Sequence, residues 1–223
     1  VQDVPAAVAQ ILQHGGVDFA ILGENEWCCG YPLVWAGMRK EAEELKQQNI
    51  KRMKEIGVKT AVFSCPSCYH SWSTEYNVDF EILHHSEYIL RLIKAGKIQL
   101  KSLDVKVTYH DPCDLGRNSG VYDPPRDVIR SIPGLSLVEM RFNREKALCC
   151  GGGGDVEVVD ENFPGQIAKQ LISLATETGA ETIVTACQQC KRTMLKALSK
   201  EAPEFSRLKV VDLAELVLKS IEA

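Results

Sequence analysis

The sequence predicts an α/β protein made of two similar lobes, each with a small, mostly parallel sheet flanked by helices. Short apolar runs of strand length alternate with helix-like segments along the 223 residues, which is typical of parallel α/β folds. The second half repeats the order of the first, since Gly57–Cys68 aligns with Gly179–Cys190 without a gap. This pseudo-twofold internal repeat predicts two lobes, which we place at residues 1–100 and 101–223, with the boundary near Lys97–Asp104.

Two helices and two strands are predicted in the first half from hydrophobic periodicity. The helices are Pro5–His14 and Glu41–Ile56, and the strands are Val17–Leu22 and Thr60–Phe63. Glycines directly after both helices support their ends. The inner stripe of the second helix is predicted to be Leu45, Ile50, Met53 and Ile56.

The second half is predicted to contain four strands and four helices. The strands are Val105–Tyr109, Leu135–Met140, Glu181–Thr185 and Val210–Val211. The helices are Pro125–Ser131, Gln166–Thr178, Lys191–Lys200 and Leu213–Ile221. Pro125 suits the first turn of its helix, where a backbone N–H has no partner.

Charge and composition exclude several classes of function. The net charge is −4 and the pI is near 5.8, whereas a nucleic-acid-binding protein usually carries a basic excess. No apolar run approaches the length of about 20 residues that crosses a bilayer, and residues 1–10 lack the layout of a secretory signal. We therefore expect the chain itself to be soluble. The cysteines described next favour a reducing cytoplasmic setting, peripheral to the inner face of a membrane complex if a partner attaches the chain.

The nine cysteines follow one spacing rule twice. Cys28 and Cys29 precede the C-x-x-C of Cys65 and Cys68, and the second-half equivalents are Cys149, Cys150, Cys187 and Cys190. The interval between the adjacent pair and the C-x-x-C is 35 residues in the first half and 36 in the second, and Cys113 stands another 35 residues before Cys149. An odd number of cysteines fits a complete disulfide framework poorly.

The spacing indicates soft-metal binding, because thiolates select zinc, Cu(I) or iron-sulfur clusters over hard ions. A C-x-x-C after a strand brings two sulfur atoms to one side of a turn, where backbone N–H groups stabilise anionic sulfur. Tetrahedral zinc is the serious alternative for the four first-half cysteines, whereas five cysteines exceed what one zinc requires.

The second half resembles a known family. Its pattern C-x(35)-C-C-G-x(35)-C-x-x-C, with His110-Asp111-Pro112-Cys113 and the run Gly151–Gly154, is similar to the cysteine-rich CCG domain. That domain occurs in the heterodisulfide reductase catalytic subunit and in the iron-sulfur subunits of glycolate, lactate and glycerol-3-phosphate oxidoreductases. The resemblance covers essentially the whole chain.

The resemblance implies one non-cubane [4Fe-4S] cluster for each complete motif, held by five cysteines. The implied second-lobe ligands are Cys113, Cys149, Cys150, Cys187 and Cys190. The first lobe departs from the pattern, because its opening cysteine would lie ahead of Val1. We expect that lobe to be incomplete at its N-terminus and to hold a second [4Fe-4S] cluster or zinc through Cys28, Cys29, Cys65 and Cys68.

Several residues near the cysteines are candidates for supporting roles. His110 is predicted to be a proton donor to a substrate thiolate or a hydrogen-bond donor to the cluster, the alternative being that it orders its loop. Arg117 is predicted to bind an anionic substrate or to balance the charge of the clustered thiolates, or else to form a surface ion pair. Gly151, Gly152 and Gly153 are predicted to approach the cluster closely through their backbone. His84 and His85 are expected in a loop or at the surface.

Three hypotheses of function remain open. The first is an oxidoreductase subunit that reduces a disulfide or heterodisulfide-type substrate within a multisubunit complex. The second is an electron relay in a dehydrogenase complex of the glycolate, lactate or glycerol-3-phosphate type, and the third is a zinc-stabilised interaction module. Both redox hypotheses imply partners, such as a ferredoxin-like iron-sulfur protein, a flavoprotein or a membrane haem or quinone subunit, because no flavin, nicotinamide or haem motif is present.

Overall fold

The computed structural model describes residues 2–201, 205 and 207–223, without the side chains of residues 200 and 201. The α-helices are α1 (Asp3–His14), α2 (Tyr31–Trp35), α3 (Arg39–Glu55), α4 (Pro66–Glu75), α5 (His85–Lys94), α6 (Asp123–Ser131), α7 (Val156–Val159), α8 (Phe163–Glu177), α9 (Gln188–Glu201) and α10 (Leu213–Glu222). The strands are β1 (Thr60–Phe63), β2 (Glu81–His84), β3 (Lys106–His110), β4 (Ser136–Leu137), β5 (Thr182–Thr185) and β6 (Lys209–Asp212).

The strands form two sheets in which every pairing is parallel. β1 pairs with β2 in a two-stranded sheet, and the other four strands lie in the order β4-β3-β5-β6. The register places Phe63 opposite His84 in the first sheet and His110 opposite Thr185 in the second. Small parallel sheets flanked by helices confirm the predicted fold class, and the two sheets agree with two lobes.

The internal repeat extends further than the cysteine spacing indicates. β2 leads directly into α5 and β6 leads directly into α10, and each junction is closed by a capping box. His84 and Glu87 form the first box, and Asp212 and Glu215 form the second. Each box satisfies backbone N–H groups at the helix start that have no partner within the helix.

The largest apolar core combines elements of both halves. Ile11 of α1 and Ile89 of α5 belong to the same buried cluster as Tyr109 of β3, Ile129 of α6 and Val217 of α10. A second cluster lies between α8, α9 and the second sheet, and it includes Cys150, Cys187 and Cys190. A third, smaller cluster contains Cys29, Tyr31, Trp72 and Tyr76. The lobe boundary stays a prediction, and apolar packing continues across it.

Three details of the predicted elements are wrong. Val17–Leu22 forms no strand, because Val17 and Phe19 pack on the core from a loop. The strand predicted over Leu135–Met140 is reduced to β4, which has two residues. Of the stripe predicted for the helix at α3, Ile50 and Met53 do pack against the third cluster, whereas Ile56 is exposed. The buried residues of α3 are Ala42 and Asn49, and Asn49 donates to the Cys28 carbonyl and to the Tyr76 hydroxyl.

Candidate metal centre

The five second-half cysteines come together at the carboxyl end of the four-stranded sheet. Cys113 follows β3 and Cys187 follows β5, while Cys190 lies in the first turn of α9. Their thiols are neighbours in one continuous chain, in the order Cys113, Cys149, Cys150, Cys190 and Cys187. Loops at the carboxyl ends of parallel strands are the usual location of sites in α/β folds.

The four first-half cysteines form a corresponding but shorter chain. Cys28 contacts Cys29, Cys29 contacts Cys68, and Cys68 contacts Cys65. Cys65 caps α4, in which Pro66 occupies the first turn, a position that suits proline because the missing N–H is not needed there. All nine cysteines are free thiols, so the two groups are unbridged donor sets of four and five sulfur atoms.

Backbone N–H groups point at sulfur atoms in both sets. Gly151 N–H lies 3.3 Å from Cys149 Sγ and Gly30 N–H lies 3.5 Å from Cys28 Sγ. Cys190 N–H lies 3.5 Å from Cys187 Sγ. Such donors stabilise negative charge on sulfur, which a metal-bound thiolate carries.

The close packing of thiols shifts their proton affinities in opposite directions. Hydrogen bonds from the Cys113 and Cys150 thiols lower the pKa of Cys149, and the hydrogen bond to Cys149 raises the pKa of Cys113. In the first lobe, the hydrogen bond with Cys68 lowers the pKa of Cys65 to about 6. Each set therefore contains at least one thiol whose lowered pKa favours the thiolate, the ionic form in which cysteine binds metals.

The donor sets suit iron-sulfur clusters in their chemistry. They supply soft thiolates, N–H donors to sulfur and a glycine-lined approach, the features that hold such clusters in proteins. Within the described residues, no group of three or more His, Cys, Asp or Glu side chains is arranged to hold a metal ion; the sulfur atoms instead contact one another in chains.

The glycine run after Cys150 is tightly enclosed on one side. Gly151 adopts a φ of +85°, and a β-carbon there would lie 2.7 Å from Ile167 Cβ. A β-carbon on Gly152 would meet Thr193 Oγ1 and Gln189 Nε2, whereas one on Gly153 would meet no atom within 4 Å. Gln189 donates to the Gly152 carbonyl at 2.7 Å, so the run is attached to α8 and α9.

His110 lies at the end of β3 and is 1% exposed. Neither ring nitrogen has a hydrogen-bond partner within the described part of the chain, so His110 does not order its loop by a hydrogen bond. Burial lowers the pKa of His110 to about 4. The imidazole is therefore neutral near pH 7, which favours a hydrogen-bond donor over an imidazolium acid.

Buried polar side chains form a row across the carboxyl edge of the second sheet. The register aligns His110, Thr185 and Asp212, and His85 Nε2 of the first half lies 3.4 Å from Asp212 Oδ1. Each of these four side chains keeps a buried polar atom that lacks a hydrogen-bond partner among the described residues. The row connects the second-lobe site to the first lobe through polar groups.

His84 and His85 correct the expectation of loop or surface residues, because both side chains are fully buried. His84 ends β2 and begins the α5 capping box, where its Nδ1 lies 2.8 Å from Ser86 Oγ. Burial lowers the pKa of His84 well below its ordinary value. The sequence signal was available in the alignment of His84-His85-Ser86-Glu87 with the second-half Asp212–Glu215.

Arg117 is exposed, and its guanidinium donates to the Ala147 carbonyl. This hydrogen bond joins the Cys113 loop to the segment that leads into Cys149. The structure thus gives Arg117 a contact that neither the substrate-binding prediction nor the ion-pair alternative included.

Hydrogen bonds between the lobes bring the two cysteine sets next to each other. Ser67, between Cys65 and Cys68, donates to Asp114 Oδ2 at 2.5 Å. Gln188, directly after Cys187, donates to Ser64 Oγ at 2.8 Å, and Ser64 directly precedes Cys65. The loops that carry the two donor sets are therefore in direct contact.

Two groups of cysteines beside two parallel sheets define a cysteine-rich α/β protein. The family described as "Cysteine-rich domain" (CCG) matches residues 1–72 and 107–195. The chain belongs to this family. Of the helices in the described part of the chain, none combines the length and apolar character needed to cross a membrane.

Three relatives illustrate the family. The chain is 37% identical over 199 residues to a Methanosarcina acetivorans protein named as a subunit of the dihydromethanophenazine:CoB--CoM heterodisulfide reductase, covering 85% of this chain and 49% of that protein. It is 34% identical to the Bacillus subtilis probable iron-sulfur-binding oxidoreductase FadF, covering 99% of this chain and 32% of the relative. It is also 34% identical to the Syntrophomonas wolfei EtfAB:quinone oxidoreductase, covering 98% and 32%.

The chain therefore spans about half the length of the first relative and about a third of the other two. Because these relatives are named as oxidoreductases or their subunits, the similarity supports a redox role and iron-sulfur clusters for this chain. It confirms the resemblance to the heterodisulfide reductase family that the cysteine pattern predicted.

Proposed function

We propose that this chain is an iron-sulfur subunit of an oxidoreductase that reduces a disulfide or heterodisulfide-type substrate. The observation that carries the proposal is the continuous contact chain of five thiols at the carboxyl end of the second sheet. We assign a non-cubane [4Fe-4S] cluster to these cysteines, and a second [4Fe-4S] cluster or zinc to the four first-lobe cysteines.

The second-lobe cysteines differ in their exposure to solvent. Cys150, Cys187 and Cys190 are buried and exclude water, whereas Cys149 is exposed and Cys113 is half-buried. Substrate access is therefore on the side of Cys149 and Cys113. When bound, the cluster supplies one-electron transfer at a site where a substrate sulfur can approach iron.

His110 is our candidate for the residue that assists sulfur chemistry. In its neutral form it offers one ring N–H, and the second-lobe thiolate of Cys149 is near enough to raise its pKa against the effect of burial. We propose that this N–H donates to sulfur rather than supplying a proton from an imidazolium. His110→Ala tests the role: unchanged turnover and an unchanged pH profile would remove His110 from the mechanism.

Arg117 is retained as the substrate-binding candidate because it is exposed beside the open side of the site. Its bond to Ala147 uses one of five N–H donors. The other donors can bind a carboxylate, sulfonate or phosphate group of a substrate. Arg117→Lys would keep the charge and is expected to raise KM with little change in kcat.

Electron relay is the second candidate function. It is favoured by the contact between the two cysteine-bearing loops and by the similarity to the EtfAB:quinone oxidoreductase over 98% of the chain. In this role a flavoprotein or ferredoxin-like partner supplies electrons, and a membrane haem or quinone subunit receives them. The chain would then lie in the cytoplasm, at the inner face of a membrane complex.

Metal analysis of anaerobically purified protein tests the proposal first. We expect iron together with acid-labile sulfide, and a second-lobe electron paramagnetic resonance signal that disappears in Cys113→Ser while the first lobe keeps its metal, whether iron or zinc. Cys65→Ser is the matched control, and it should lower the first-lobe metal content and leave the second-lobe signal unchanged. Zinc without sulfide in both lobes would instead support the interaction module.

An assay with a soluble heterodisulfide and an artificial one-electron reductant separates the two redox candidates. Disulfide cleavage by the complex that depends on Cys113 supports the reductase. Reduction of the clusters without any cleavage, together with electron delivery to a quinone analogue, supports the relay.

A further inference from the structure

Arg126 of α6 is a fully buried guanidinium in which every N–H donor is used. Nε and Nη2 donate to the Glu139 carboxylate at 2.7 and 3.0 Å, and Nη1 and Nη2 donate to the Asp111 carboxylate at 2.7 and 2.8 Å. Nη1 also donates to the Tyr122 carbonyl at 2.8 Å. Two bidentate carboxylates around one buried cation fix its position and theirs.

Asp111 connects this cation to two of the second-lobe cysteines. It lies two residues before Cys113, and its Oδ2 also accepts the backbone N–H of Arg144 at 2.7 Å. Arg144 lies five residues before Cys149 and has a φ of +53°, a conformation that a non-glycine residue adopts only when its surroundings hold it. One carboxylate therefore joins the segments that carry Cys113 and Cys149, whose thiols contact each other.

The first lobe offers a comparison. Its Arg91 pairs with Glu81 in the same bidentate way, at 2.6 and 2.8 Å, but both side chains are largely exposed and neither lies beside a cysteine. Exposed pairs contribute little because water and salt screen them. A bidentate arginine–carboxylate pair alone thus does not explain why Arg126 of α6 is buried beside Asp111, directly after β3.

We propose that Arg126 is a positioning residue of the second-lobe metal site, which acts through Asp111 and the Arg144 N–H to hold Cys113 against Cys149. The inference rests on the proposed function, in which these two cysteines are ligands of one cluster. Arg126 touches neither the thiols nor a substrate. Its effect is on the distance and orientation of two sulfur atoms that approach the cluster from different segments.

Arg126→Lys is the decisive variant, because lysine keeps the charge but cannot form either bidentate pair. In the metal-free, reduced protein, limited oxidation with diamide should form the Cys113–Cys149 disulfide severalfold more slowly in Arg126→Lys than in the unsubstituted protein. Peptide mass spectrometry identifies the pair, and the Cys65–Cys68 disulfide of the same molecule serves as the internal reference. Arg91→Lys is the matched control and should leave both rates unchanged.

The metal-loaded protein gives the second measurement. Arg126→Lys should change the resonance signal of the second-lobe cluster and lower its occupancy, while the metal content of the first lobe stays unchanged. If far-ultraviolet circular dichroism shows that Arg126→Lys is unfolded, Asp111→Asn replaces it, since that variant keeps the arginine. An unchanged Cys113–Cys149 rate in a folded variant would overturn the positioning role. Because the cross-linking needs no metal, it decides the role even if the protein proves to contain no iron, a result that would count against the proposed function alone.

Discussion

Alanine substitutions along the glycine run provide the sharpest test of how the second-lobe loop is built. Gly151→Ala and Gly153→Ala change the same chemistry two residues apart, yet their surroundings differ. At Gly151 the backbone has a φ of +85° and the new β-carbon would lie 2.7 Å from Ile167 Cβ, whereas at Gly153 it would meet nothing within 4 Å. We expect Gly151→Ala to be strongly destabilising and Gly153→Ala to be nearly neutral.

The magnitude for Gly151→Ala has two parts. A left-handed backbone conformation costs a non-glycine residue about 1–2 kcal/mol, and overpacking against Ile167 costs about 1–3 kcal/mol more. The sum of about 2–5 kcal/mol is a large share of a typical unfolding free energy of roughly 5–15 kcal/mol. For a chain of this size it lowers the melting temperature by roughly 4–20 °C.

Thermal unfolding followed by circular dichroism, on anaerobically purified protein, measures the difference. Gly153→Ala should stay within about 0.5 kcal/mol of the unsubstituted protein, as expected for a site without contacts. Equal melting temperatures for the two variants would refute the enclosed geometry of this loop. The displaced Gly151 N–H should also weaken the hydrogen bond to Cys149 and alter the second-lobe resonance signal.

Three further predictions concern polar side chains outside the second-lobe cysteine set. Burial lowers the folded pKa of His84, so the unfolded chain binds more protons below about pH 6.5 and the free energy of unfolding falls with decreasing pH. His84→Asn removes this titrating group and should make the free energy of unfolding depend less on pH below about 6.5. Urea unfolding at several pH values measures that dependence. Asp212→Ala removes the side-chain acceptor of the α10 capping box and should cost about 0.5–2 kcal/mol; denaturant midpoints that match the unsubstituted protein would contradict the cap. Ser67→Ala breaks the hydrogen bond to Asp114 and should lower the free energy of unfolding by about 1–3 kcal/mol, because the acceptor is a carboxylate. A double-mutant cycle with Asp114→Asn that gives no coupling energy would refute the contact.

The predicted elements of the second half are largely correct because their signals are local. β5 and α10 are recovered within one residue at each end, since a buried apolar run and an amphipathic helix each have a distinct periodicity. The cysteine spacing likewise groups the thiols that the structure places next to one another, and their role as cluster ligands stays a prediction.

The missed features depend on partners that are distant in sequence. β2 pairs with β1 across the α4 helix, and His84 is buried by residues of both halves, so an isolated pair of histidines gives no sign of burial. Arg126 reads as an ordinary charged residue in a short helix, because its two carboxylate partners lie 15 and 13 residues away. Val17–Leu22 has strand composition but no neighbouring strand, and composition alone does not supply one.

The apolar core shared by both halves bears on the history and the handling of this molecule. If the halves arose by duplication, they now share one apolar core, in which Ile11 and Ile89 of one half pack in the same cluster as Ile129 and Val217 of the other. Separated fragments 1–100 and 101–223 would each expose apolar surface to water and should precipitate. When the two fragments are mixed during refolding, they should associate and stay in solution, because each covers the apolar surface of the other.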